Sequence, residues 1–130
     1  MIEPMALFPL YVTDDLEAQK RFYESSFGFE AVFFDATFYL HLHHASSGAQ
    51  VGFMRPDLPN QPPFLHPRAG ADGAVITVEV ADARAARDEA GAMALGIAHE
   101  YVEEPWGQRH FMVSDSAGLV VDVVERQGPS

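Results

Sequence analysis

The sequence has no cysteine among its 130 residues. Disulfide frameworks, thiolate metal sites and cysteine nucleophiles are therefore excluded. Basic residues are also scarce: eight Lys and Arg stand against 19 Asp and Glu, for a formal charge of −11. Proteins that bind nucleic acid carry basic patches to meet a polyanion, so neither nucleic acid nor an anionic membrane surface is an expected partner. No apolar run approaches the roughly 20 residues of a membrane-spanning helix. The start, Met1-Ile2-Glu3-Pro4, lacks the basic residues and long apolar stretch of a signal peptide. A cytoplasmic location is the expectation. No P-loop, dinucleotide fingerprint or Ser-His-Asp order is present, and the glycines sit in turns.

What is present is a repeat. Residues 6–30 read as strand, capped helix, glycine, strand, and residues 74–104 read the same way. Asp14 and Asp82 occupy the cap positions, and Asp14 with Glu17 makes a D-x-x-E capping box. The first helix carries Leu16, Phe22, Tyr23 and Phe27 and stops at Gly28; the second, rich in Ala and Arg, stops at Gly96. Strands are expected at 6–13, 29–35, 38–44 and 50–55, then at 74–81, 98–104, 109–115 and 119–126. Pro9 has no N–H, which places the first strand at an edge or at a bulge. Between the copies, residues 56–73 carry Pro56, Pro59, Pro62, Pro63, Pro67, Gly70 and Gly73. A stretch of that length and composition is functional or mobile.

The order is βαβββ twice. The fold class is α+β: two βαβββ modules (6–55 and 74–126) joined by a linker (56–73) in one domain spanning 1–130. The expectation is curved mixed sheets that form a cup, with the helices on the outer face.

Strand alternation separates two faces of each sheet. Leu40 and Leu42, Val51 and Phe53, Ile76, Val78 and Val80, Phe111 and Val113, and Val121 and Val123 form apolar sets suited to lie under a helix. The opposite set is mixed: Tyr39, His41, His43, Gln50, Met54, Thr77, Glu79, His110, Met112 and Asp122. Apolar walls with a few polar groups are the composition of small-molecule sites. The alternative is the solvent face of an open sheet, on which Met54, Met112, Tyr39 and the sole tryptophan, Trp106, would be unusual choices.

His41 and His43, two residues apart on a strand, point the same way and are the sharpest local metal-ligand pattern. Asp122 or Glu79 would complete a two-histidine, one-carboxylate set; the alternative is two histidines lining a polar cavity. His66 and His99 receive no role. Pro105 and Gly107 hold Trp106 in a turn. There its ring either stacks on a planar ligand or plugs a sheet corner. Glu103-Glu104 reads as a solvated acidic pair, while Glu79 is a candidate base.

The segments Val12-Thr13-Asp14-Asp15-Leu16-Glu17-Ala18, Arg21-Phe22-Tyr23 and Phe27-Gly28-Phe29-Glu30 resemble the first half of vicinal oxygen chelate proteins. That superfamily includes glyoxalase I, bleomycin-resistance proteins and extradiol dioxygenases. Residues 104–111, Asp115-Ser116-Ala117-Gly118 and Val121-Asp122-Val123-Val124-Glu125 resemble its second half. The resemblance implies paired βαβββ modules around a cavity, a small-molecule ligand and a homodimer. It also implies a divalent metal held from the first and last strands of each module. Those places fall at Phe8, near Gln50 or Gly52, at Val75 and at Asp122. Phe8 and Val75 are inert toward a metal, so the departure resembles the metal-free, drug-binding members, with no cofactor and no catalytic residue assigned. The expected ligand-binding set is Phe8, Tyr39, His41, His43, Gln50, Met54, Thr77, Glu79, Trp106, His110, Met112 and Asp122. The alternative is a metal-dependent lyase, isomerase or dioxygenase with displaced ligands His41, His43 and Asp122.

Overall fold

The alternating segments of the first half become four strands: β1 (Leu10–Val12), β2 (Glu30–Asp35), β3 (Tyr39–His43) and β4 (Gln50–Met54), with α1 (Leu16–Phe27) between the first two. The second half repeats the order with β5 (Ile76–Val80), α2 (Ala83–Ala92), β6 (Ile97–Glu103), β7 (Arg109–Ser114) and β8 (Val120–Glu125). This is a computed structural model, and it describes residues 1–127. The sheets run β1-β4-β3-β2 and β5-β8-β7-β6. In each, the first strand lies parallel to the last and the other pairings are antiparallel. The α+β class and the doubled βαβββ order are thus as the sequence indicates. Pro9 ends just where edge strand β1 begins, and its carbonyl accepts the Gly52 amide at 2.9 Å. Among the described residues no helix is long and apolar enough to cross a membrane.

The apolar strand faces lie under the helices. Leu40, Leu42, Val51 and Phe53 are buried beneath Leu16 and Tyr23 of α1, and the Tyr23 ring stacks on Phe53 at 5.5 Å. In the second module Phe111, Val113, Val121 and Val123 are buried under Ala83 and Ala90. Small helix residues let α2 approach these larger strand residues closely. Each fully buried aliphatic or aromatic side chain contributes about 1.5–3 kcal/mol, so a polar substitution at Phe53 or Val123 would strike the centre of a module.

Two helix ends differ from expectation. The N-cap of α1 is Asp15, whose carboxylate accepts the Ala18 amide at 3.0 Å. Asp14 lies outside the helix, so no capping box forms; Glu17 pairs instead with Arg21 at 2.9 Å. The reason is helix phase: with Asp15 as cap, Leu16 opens the helix and is buried. Asp82 caps α2 as expected, through the Ala85 amide at 3.0 Å. That helix ends at Ala92, short of Gly96, because Ala94 turns left-handed (φ 56°). The Leu95 and Ala94 amides then close onto the Ala90 and Gly91 carbonyls, both at 3.0 Å, in a Schellman arrangement.

The chain divides into two compact units, Met1–Ala69 and Gly70–Ser130. Most of the Pro-rich stretch is therefore part of the first unit. A 3-10 turn at Pro63–Leu65 interrupts it. Gln61 donates to the Arg55 carbonyl and accepts from the Leu58 amide, and the Ala69 amide reaches the Val12 carbonyl. Arg68 bridges Asp14 at 3.1 Å and Asp57 at 3.2 Å. Asp14 thus ties the stretch down, and its backbone carbonyl also accepts from Arg55.

Candidate functional site: two polar chains on the mixed faces

The first unit gathers Phe8, Tyr39, His41 and Gln50. β3 projects Tyr39 and His41 to the face away from α1, and β4 brings Gln50 to the same face. The Tyr39 hydroxyl lies 2.7 Å from His41 Nδ1, and His41 Nε2 lies 2.6 Å from Gln50 Oε1. One consistent proton arrangement has Tyr39 donating to Nδ1 and Nε2–H donating to Gln50. Either way both imidazole nitrogens are committed. The Phe8 ring meets His41 edge-on at 4.4 Å. Burial raises the Tyr39 pKa above 10.0, which keeps its hydroxyl protonated as a donor.

Tyr39 reaches this position because residue 52 is glycine. A Cβ there would stand 2.5 Å from Tyr39 Oη and 3.1 Å from its Cε1 and Cζ. The tyrosine therefore fills the space that a side chain on this strand would take. His43 sits opposite Gln50, half-buried, and Met54 opposite Tyr39. Met54 also floors a recess of about 310 Å³ with Phe38, Leu58 and Leu65. On edge strand β2 a bulge at Val32 re-aims the chain, so that Phe33 faces His41 and Phe34 turns under Lys20.

The second unit gathers His110, Asp122 and Glu104. His110 is 5% exposed and Asp122 7%. His110 Nδ1 lies 2.8 Å from Asp122 Oδ1, and Nε2 lies 2.9 Å from Glu104 Oε2. Burial, the largest single influence, lowers the His110 pKa. The bonds and charges of Glu104 and Asp122 together outweigh it, and the net direction is upward from 6.5. Thr77 and Met112 flank Asp122 on β5 and β7. Glu79 lies opposite Val124 and pairs with Arg126 at 3.0 Å. With Trp106, Gln108 and Val124 they line a recess of about 560 Å³. Trp106 is 71% exposed on its turn, its indole N–H donating to Gln108 at 3.2 Å. Of the two roles weighed for it, the plug in a sheet corner is thus excluded.

Strand registers align the modules. Tyr11 and Val78 face Phe53 and Val123, so Gly52 and Asp122 hold the same place, as do Tyr39 and His110. In both modules a ring on the third strand leans diagonally over that place on the fourth. Sequence reasoning missed Glu104, read as half of a solvated pair, and His99, which stacks on His110 at 5.8 Å. Bulges in β6 between Ile97 and Val102 bring His99 opposite Met112. Plain alternation across 98–104 carries no signal of that.

These residues do not fit a metal at the places the resemblance implies. Phe8 and Val75 offer carbon; of the fourth-strand pair Gly52 offers nothing and is overlain by Tyr39, and Gln50 Oε1 is bonded to His41; Asp122 is held by His110. Among the described residues no three His, Asp or Glu side chains group as a metal site, whereas a catalytic zinc usually has three protein ligands. Of the alternative set His41, His43 and Asp122, His41 has both ring nitrogens within hydrogen-bond distance of Tyr39 and Gln50, and Asp122 is bonded to His110.

No curated protein matches the sequence. Among solved structures, the chain is similar to the lactoylglutathione lyase of Agrobacterium tumefaciens (24% identity, 94% of each chain, TM-score 0.71). It is also similar to the bleomycin resistance determinant encoded on transposon Tn5 (17% identity, 96% of this chain and 100% of that one, TM-score 0.68). A third is the bleomycin-binding protein of Streptomyces verticillus, solved with copper(II)-bleomycin (21% identity, 98% and 100%, TM-score 0.66). At such identities these likenesses speak to the fold. A family model matches residues 6–123. With nearly its whole length accounted for, the chain belongs to the Glyoxalase/Bleomycin resistance protein/Dioxygenase superfamily.

Proposed function

We propose that this protein binds a small, partly aromatic molecule on the mixed face of a sheet, without a metal. The observation that carries the reading is the fate of the four customary metal places: two are hydrocarbon, one falls at a glycine overlain by Tyr39 or at Gln50, which is bonded to His41, and the last is a carboxylate already bonded to His110. What stands there instead suits an organic ligand. In the second unit Trp106 presents an exposed ring beside a recess of about 560 Å³; the first unit, taken by itself, offers Phe8 and Met54 as apolar surface near its Tyr39–His41–Gln50 chain. A bleomycin-binding neighbour supports the same class of ligand.

Titration of the single tryptophan's fluorescence with a panel of aromatic natural products tests this. Saturable quenching is expected for at least one compound. Calorimetry with Trp106→Ala should then show binding weakened about 2–10-fold, since an aromatic contact contributes about 0.5–1.5 kcal/mol. Absence of saturable binding across a broad panel, or full affinity in Trp106→Ala, counts against the proposal.

A further inference from the structure

In the first unit the proline-rich segment after β4 does not close on the sheet; it leaves a recess of about 310 Å³. Phe38 and Met54 line it together with Leu58, Pro59, Pro62 and Leu65 of the segment. Polar bonds set the segment's backbone. The Gln61 side-chain amide donates to the Arg55 carbonyl at 2.9 Å, and its oxygen accepts from the Leu58 amide at 2.8 Å. A His66 ring nitrogen lies 3.1 Å from the Gln61 carbonyl, and Arg68 binds Asp14 and Asp57. Asp57 (φ 62°) and Asn60 (φ 64°) are left-handed. Residues with a Cβ disfavour that conformation and keep it only where the surroundings fix it. Pro59 and Pro62 have φ locked by their rings. The apolar side chains on this fixed frame stay apart: Met54, Leu58 and Leu65 are half-buried and Phe38 is 45% exposed. Apolar walls left in contact with water favour an apolar occupant.

The lining sets the chemistry of that occupant. None of the lining side chains is charged. The segment's own cations are committed, Arg55 to the Asp14 carbonyl and Arg68 to two carboxylates. A carboxylate or an ammonium in the recess would lose water and gain no counter-charge, which is costly. Two amides take part in the lining. Gln61 is used within the segment, whereas the Asn60 side chain has no hydrogen-bond partner among the described residues. Asn60 thus suits one polar group on an otherwise apolar molecule. The volume lies at the small end of ligand pockets, roughly 300–1,000 Å³, and fits one or two fused rings. Phe38 joins the recess to the aromatic residues of the mixed face, its ring lying 6.0 Å from Tyr39 and 6.4 Å from Phe33.

We propose that this recess is a ligand pocket for an uncharged molecule of one or two fused rings with a single hydrogen-bonding group, the rings against Phe38 and Met54 and the polar group on Asn60. The proposal rests on the reading of the protein as a binder of small organic molecules, and it narrows the class: neither anions nor cations are accepted here.

Two probes, 2-naphthol and 2-naphthoate, carry the same rings without and with a charge at neutral pH. Carbon-13 labelling of the methionine methyls reports where they bind, with Met54→Leu and Met112→Leu assigning the resonances. Titration with 2-naphthol should shift the Met54 methyl saturably and leave Met112 and Met93 unmoved. The charged probe should bind about 10-fold more weakly or worse. Phe38→Ala keeps the backbone bonds of residue 38 to Asp35 and Arg55, and it should weaken 2-naphthol about 2–10-fold. Asn60→Gly keeps the left-handed backbone and should weaken it about 2–10-fold through the lost hydrogen bond. Absence of a saturable Met54 shift, equal affinity for 2-naphthoate, or full affinity in either variant overturns the proposal. Binding reported by Met112 or by Trp106 fluorescence without a Met54 shift overturns the recess while the broader binding reading stands; silence at all three sites across an aromatic panel removes both.

Discussion

Replacing Gly52 by alanine probes the seat of Tyr39 directly. The added Cβ would lie 2.5 Å from Tyr39 Oη and 3.1 Å from two ring carbons, well inside ordinary contact. The ring carbons are too close for a rotation of the hydroxyl alone to relieve the clash. Tyr39 must swing away, and it then loses its 2.7 Å bond to His41. That bond contributes about 1 kcal/mol, and overpacking typically costs about 1–3 kcal/mol. Alanine's advantage over glycine in a strand returns roughly 0.5–1 kcal/mol. The net loss is about 1–3 kcal/mol, or roughly 3–15 °C in Tm for a domain of this size. Urea and thermal unfolding followed by circular dichroism measure it. Tyr39→Phe removes the nearest atom, so Gly52→Ala should cost less in that background, with a coupling energy of about 1 kcal/mol. A Gly52→Ala protein as stable as the wild type, or equal costs in both backgrounds, would refute the reasoning.

Three further outcomes are expected. Asp15→Ala should destabilise the protein by about 1 kcal/mol through the lost α1 cap, and Asp14→Ala should cost less, acting only through the exposed Arg68 pair; urea midpoints that rank them in reverse would restore Asp14 as the cap. Ala94→Gly should stabilise by about 0.5–1 kcal/mol, because the left-handed penalty it relieves, about 1–2 kcal/mol, exceeds the entropy glycine adds to the unfolded chain; a fall in Tm contradicts the turn at Ala94. Glu100 accepts two bonds from Arg87 and one from the Tyr101 amide, and these lower its pKa from 4.5 to about 2. Its depressed pKa favours the fold above 4.5 and ceases to do so as pH falls through about 2. Carboxyl-carbon NMR should place its midpoint near that value, moving up in Arg87→Met; an ordinary midpoint in the wild type would contradict the geometry.

The parts of this protein legible in its sequence are those set by period and by strong turn chemistry. The alternation Tyr39-Leu40-His41-Leu42-His43 assigned the faces of β3 correctly, because a period of two leaves one register per buried face. Pro9 marked an edge, and Asp82 marked a helix start. Where two signals stood side by side, the sequence misled. Asp14 carried the better capping-box spacing, yet the burial of Leu16 decided for Asp15. Gly96 looked like a helix stop, yet the chain turned at Ala94, where the Ala90 and Gly91 carbonyls could be satisfied. The site was legible in its members more than in its connections. Tyr39, His41 and Gln50 were named from their shared face, whereas the lean of Tyr39 over Gly52 is a diagonal relation that no spacing encodes. Glu104 and His99 escaped because β6 bulges twice, and each bulge shifts which residues face the sheet.

The central claim is that the customary metal places have been given over to hydrocarbon, to a tyrosine and to a bonded carboxylate. Metal content of untagged protein, equilibrated with zinc, manganese, iron and nickel and then dialysed, tests it most directly. The account predicts far less than one ion per chain for each metal, with no change in Asp122→Ala or His43→Ala. One tightly held ion per chain, lost in either variant, would contradict it.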